Sequence, residues 1–137
     1  MTEMGSLIER ARSATGPDRE LDADIYLGLL GGEVQWRQAN YTMEMYPVAR
    51  RPSANHVGGY EHEQVPLYTA SIDAVLALVE RCLPGWWVHG LGKSPLHGLW
   101  WCTLYSLDAK KAVEVEEFDT PPLAILSALL QALGETP

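Results

Sequence analysis

The sequence predicts an α+β fold: a small antiparallel sheet of three to five strands with helices on both faces, an α/β/α sandwich. Three observations predict it. From Ser71 onward the apolar period runs helix, strand, strand, strand, helix, an α-β-β-β-α order. Two consecutive tryptophan pairs, Trp86-Trp87 and Trp100-Trp101, fall on expected strands. Neighbouring strand residues point to opposite faces, so each pair puts an indole on both sides, a pattern that a sheet with one side in water would not normally carry. Finally, the last helix is apolar around most of its circumference, as a helix buried on several sides must be.

The 137 residues fit one domain. It divides into an N-terminal helical pair (1–32), a stretch of strands and irregular loop (33–70) and the α-β-β-β-α core (71–137). Residues 6–15 place Leu7, Ile8, Ala11 and Ala14 at helical spacing among charged residues. Thr15-Gly16 ends this helix. Pro17 is expected in the first turn of the next one, with Asp18 and Glu20 favouring the positive end of its dipole. Leu21, Ile25 and Leu29 form its apolar stripe, and Gly31-Gly32 stops it.

From Glu33 the period changes to two. Val34 and Trp36 alternate with polar residues, as do Tyr41, Met43 and Met45 after a break, predicting one or two strands. Residues 47–66, punctuated by Pro47, Pro52, Gly58, Gly59 and Pro66, predict a long irregular connection. Such loops tend to be functional or disordered.

Ser71 suits a helix N-cap. Ile72, Val75, Leu76, Val79 and Leu83 follow as an apolar face, and Pro84-Gly85 ends that helix. Strands are expected at 86–89, 99–107 and 112–118, joined by a Gly- and Pro-containing connection and by the turn Asp108-Ala109-Lys110. Their short links make an antiparallel meander. Helices 72–83 and 121–133 would cover the face bearing Val113 and Val115, leaving the first two helices for the other face. Thr120 caps the last helix and Pro121 suits its first turn. That helix has only Ser127 and Gln131 as a polar strip, so apolar surface around Ile125, Leu129 or Leu133 is left over. A homodimer through this patch is one expectation; the rival is that the N-terminal helices or the 47–66 segment fold over it.

Four stretches carry a family resemblance: Gly16-Pro17-Asp18-Arg19-Glu20-Leu21-Asp22, the run Val65-Pro66-Leu67-Tyr68-Thr69-Ala70-Ser71-Ile72-Asp73-Ala74, Pro84-Gly85-Trp86-Trp87, and Thr120-Pro121-Pro122-Leu123-Ala124. In this order they resemble the small phage and prophage proteins grouped as the phage ABA sandwich domain. The chain departs from that pattern between Asn40 and Gln64, which is longer, and at Leu126, where relatives often carry cysteine. The resemblance implies helices on both faces of a sheet and a phage or prophage setting. It implies no reaction and assigns no functional residue.

Composition narrows the function classes. The hydrophobic fraction of 47% and charged fraction of 20% are those of a globular protein. The longest apolar run falls short of the roughly 20 residues of a membrane span. The N-terminus lacks the pattern of a secretion signal, so a cytoplasmic location in the bacterial host and no membrane partner are expected. A net charge of −8 disfavours nucleic acid as a partner, because phosphate binding draws on Lys and Arg. The start of the last helix, Asp119-Thr120-Pro121-Pro122, likewise lacks the basic groups of a double-stranded RNA-binding domain.

No nucleophile elbow, phosphate loop or dinucleotide fingerprint is present in the sequence. His56, Glu61, His62 and Glu63 together could bind zinc or exchange protons, but match no established ligand spacing. His89, His97 and Cys102 could converge as nitrogen and sulfur ligands; the plainer reading makes them sheet and turn residues. Cys82 and Cys102 are expected as free thiols. No cofactor is expected. Candidate interaction residues are Arg50, Arg51, His56, Tyr60 and His62 in the 47–66 segment and Glu114, Glu116 and Glu117 on the last strand. These carboxylates could meet a basic groove in a partner, though a solvated edge strand uses the same pattern. The leading functional expectation is a non-enzymatic phage or prophage accessory protein that contacts a host or phage protein. A small metal-dependent enzyme is the alternative, and a nucleic-acid-binding protein ranks last.

Overall fold

The computed structural model describes residues 4–40, 42–53 and 57–135. The chain is an α+β protein of helices α1 (Met4–Ser13), α2 (Arg19–Leu30), α3 (Ile72–Cys82) and α4 (Pro121–Glu135) and strands β1 (Glu33–Gln38), β2 (Met45–Pro52), β3 (Tyr60–Gln64), β4 (Trp86–Lys93), β5 (Trp100–Ser106) and β6 (Lys111–Phe118). The strands form two antiparallel three-stranded sheets, ordered β1-β2-β3 and β4-β5-β6.

Caps set the helix starts. Asp18 accepts from the Leu21 amide at 3.0 Å, Ser71 from Ala74 at 3.2 Å and Thr120 from Leu123 at 3.4 Å, each satisfying an amide that has no partner inside its helix. Pro17 therefore precedes the cap of α2 rather than occupying its first turn. Removing the hydroxyl in Ser71→Ala should lower stability by about 1 kcal/mol, with Ser71→Asp nearly neutral. Urea midpoints of the two variants check this, and an unchanged Ser71→Ala would place the helix start elsewhere.

The segment expected to be a long loop folds instead as a hairpin. β2 pairs with β3 from Val48↔Gln64 to Pro52↔Tyr60, and with β1 from Glu33↔Arg50 to Gln38↔Met45. The signal is weak in the sequence because every residue of β3 is exposed. A strand with no buried face shows no apolar alternation.

α4 is the centre of the molecule. It packs on β4, β5 and β6, on α3 and on α1. Leu123, Ile125, Leu126, Leu129 and Leu130 are all fully buried. This corrects the expected dimer patch: Ile125 and Leu129 have no surface to offer a second copy, and Leu133 is half-buried against the core. The sheet, α3 and α1 together enclose the helix, with the Met4 and Ile8 side chains of α1 beside Gly134 near its end. With α1 used in this way and α2 packed on β1 and β2, neither helix sheathes the second face of β4-β5-β6. That face stands open, with Trp87 43% exposed.

A buried polar junction holds α2 to the segment before α3. Asp22, fully buried, accepts from the Thr69 amide at 2.8 Å and from the Arg19 guanidinium at 2.7 Å. Arg19 also donates to the carbonyls of Val65 (2.7 Å) and Pro66 (3.2 Å), and the Thr69 hydroxyl accepts from the Asp18 amide at 2.8 Å. Two of the stretches that carry the family resemblance thus meet in space. Their polar residues satisfy buried backbone groups.

Candidate functional site

The expected interaction residues fall on two separate sheets. Arg50, Arg51, Tyr60 and His62 gather on the β2–β3 hairpin, where Arg50 pairs with His62 and Arg51 with Glu61 in register. Arg50 bridges to Glu33 at 3.1 Å and lies over the Tyr60 ring at 4.1 Å. Arg51 turns to the other side, 5.9 Å from the centre of the Tyr26 ring on α2. Tyr26 is buried, and its hydroxyl is pushed up to about 12 by burial and by its hydrogen bond to Glu63. Tyr26, Arg51, Glu61, His62 and Glu63 border a cleft of about 280 Å³. His56 lies outside the described residues.

The described members of the metal-binding alternatives are not brought together. Glu61, His62 and Glu63 are consecutive on a strand, so His62 points away from its neighbours. His89 packs on Tyr105 with ring centres 5.8 Å apart, whereas Cys102 is fully buried on the helix side of the sheet. Among the described residues no three of His, Cys, Asp and Glu are grouped to hold a metal ion. Burial pushes the Cys102 thiol up to about 12 and raises that of Cys82, so neither is a ready nucleophile at neutral pH.

Glu114, Glu116 and Glu117 lie exposed on β6, an edge strand. Val113 and Val115 between them are buried under α4, so strand alternation turns Glu114 and Glu116 to the open face of the sheet. There they meet residues not singled out as an interaction surface from sequence. Tyr105, Thr103 and Trp101 run along β5 in the middle of that face. Trp87 packs edge-on against Tyr105 with ring centres 5.2 Å apart, and Thr103 is in register with Glu114.

Two irregularities shape the face. A bulge between Val88 and Gly90 places His89 beside the Tyr105 ring. A second shift, between the pairs Trp100↔Phe118 and Cys102↔Val115, sets Glu116 and Glu117 together opposite Trp101. Glu117 has φ 69, in the left-handed region that non-glycine residues avoid. On the other flank of Trp101 stand Gly90 and Gly92. A Cβ at these positions would lie 2.8 Å and 2.6 Å from the indole, so the ring rests on bare β4 backbone. The consecutive tryptophans were the sequence signal for this surface. They showed that both faces bear aromatics, but not that one of them lacks a cover.

A further cavity, about 270 Å³, lies between α1, α4 and β6 and is bordered by Arg12, Ser127 and Gln131 together with Glu114 and Glu116 at the β6 edge. Ser127 is buried, and its hydroxyl finds no hydrogen-bond partner among the described residues. Among the described residues no helix is long and apolar enough to cross a membrane. No family model matches the chain, and no curated protein or solved structure shows significant similarity to it.

Proposed function

We propose that this chain is a phage or prophage accessory protein that works without catalysis, by binding another protein of the host or of the phage. The observation that carries the protein-contact reading is the open face of β4-β5-β6, where Trp87, Trp101, Tyr105 and His89 lie together in reach of solvent. Rigid aromatic side chains are enriched in protein interfaces, where they supply large contact area at small entropic cost. The phage setting draws on the sequence resemblance alone. The test is affinity capture from a lysate of the bacterial host, using the chain and a Trp87→Ala/Tyr105→Ala variant with unchanged cooperative unfolding. At least one protein should be enriched by the chain and lost with the variant. If every captured protein is retained equally by both, the reading fails.

A further inference from the structure

We infer that the open face of β4-β5-β6 seats an arginine- or lysine-bearing segment of a partner protein, with the cationic head lying on the Trp101 indole beside Glu116 and Glu117. This rests on the protein-contact reading and specifies the chemistry of the partner. A cleft of about 70 Å³ opens there, bordered by Ser94, His97, Leu99, Trp101, Glu116 and Glu117. The indole rests on the Gly90 and Gly92 backbone on one flank and borders this cleft. An aromatic ring next to carboxylates is a receptor for a cation, which gains from the ring quadrupole and from charge-assisted hydrogen bonds together.

The charge of the face selects the occupant. Among the described residues, Glu114, Glu116 and Glu117 take part in no ion pair within 4.0 Å. The basic side chains that share a cavity with them are His97, at the border of this cleft, and Arg12, across the space that Glu114 and Glu116 also line. The chain as a whole carries −8. A second copy docked face to face would bring the same carboxylates together, because a two-fold interface matches each patch with itself. Nucleic acid would bring phosphates to them. A basic protein segment meets the charge and the aromatic row at once. The left-handed Glu117 fits this picture: a strained backbone persists where its surroundings impose it, and such residues cluster at binding sites.

The experiment titrates the full chain with a short blocked peptide of alternating glycine and arginine, and with its citrulline and glutamate counterparts, by calorimetry and tryptophan fluorescence. The arginine peptide should bind and perturb the fluorescence, with the uncharged citrulline peptide much weaker and the glutamate peptide silent. Glu116→Gln/Glu117→Gln should weaken binding about tenfold at low salt. Trp101→Phe, which keeps a ring, should remove most of the fluorescence response while retaining part of the affinity. Equal binding of all three peptides overturns the inference. So does no binding of the arginine peptide, indifference to the Glu116 and Glu117 changes, or a dimer that dissociates in Trp101→Phe. If the peptides fail while a captured partner still depends on Trp87 and Tyr105, the protein-contact reading stands and only the cationic occupant is wrong. If capture fails as well, both fall.

Discussion

Leu129→Glu should leave the chain without a cooperative unfolding transition. Leu129 is fully buried in α4, with Ile125, Leu126 and Leu130 equally buried around it. The helix is enclosed by the β4-β5-β6 sheet, α3 and α1. A glutamate there would give up the apolar burial of leucine and place a carboxylate where no cation is at hand. Leaving one unpaired charge in a core costs about 3–5 kcal/mol, and total stability for a domain is about 5–15 kcal/mol. Calorimetry and near-ultraviolet circular dichroism would report the loss. Leu133→Glu, at the half-buried end of the same helix, should keep a cooperative transition at a lower temperature. If Leu129→Glu stayed folded and instead changed the mass seen by light scattering, the residue would be an interface contact after all.

Asp22→Ala should cost about 3 kcal/mol, because it strips partners from a buried junction rather than removing a surface charge. The Arg19 guanidinium and the Thr69 amide both donate to this carboxylate, and without it the amide has no acceptor in a dry site. Asp22→Asn should cost less, since the amide oxygen still accepts from Thr69. The pH dependence separates the two roles of the carboxylate. Burial raises the pKa of Asp22 above its ordinary value, outweighing the hydrogen bonds from Thr69 and Arg19 that lower it. The folded chain therefore binds this proton more tightly than the unfolded chain. The stability contributed by the group grows as pH falls through the raised pKa and is lost as pH rises back through it. The difference between the chain and Asp22→Asn should thus shift in favour of aspartate between pH 7 and pH 4, read from urea midpoints. A shift the other way would mean that the Arg19 ion pair dominates.

The candidate surface was only half legible before the fold was known. Glu114 and Glu116 could be placed on the polar side of a strand because Val113 and Val115 alternate with them. The tryptophan pairs could be assigned to both faces of a sheet. What could not be read was that Trp87, His89, Trp101 and Tyr105 share one uncovered face with those carboxylates. That depends on the register of three strands and on two bulges, and the second bulge shows in the apolar pattern only as the one-residue slip from Val113 and Val115 to Phe118. The β2–β3 hairpin shows the complementary failure. Tyr60-Glu61-His62-Glu63-Gln64 has no buried side, so its strand character is set by pairing with β2 rather than by periodicity.

The sequence by itself determined the α+β class, the four helices, the Ser71 and Thr120 caps, and the order α3-β4-β5-β6-α4. These rest on local physics: cap hydrogen bonds reach three residues, and a buried stripe repeats with the period of its own element. It also determined that α4 must be covered on nearly every side. Only the tertiary structure decided what covers it. Periodicity says which face of a helix avoids water, not which element shields it, since several apolar surfaces of one chain can satisfy that need. Here the β4-β5-β6 sheet, α3 and α1 together enclose the helix and leave Ile125 and Leu129 fully buried. α2 goes to the first sheet, and the far side of the second sheet, with Trp87, Trp101 and three carboxylates that form no ion pair among the described residues, is left for solvent or a partner.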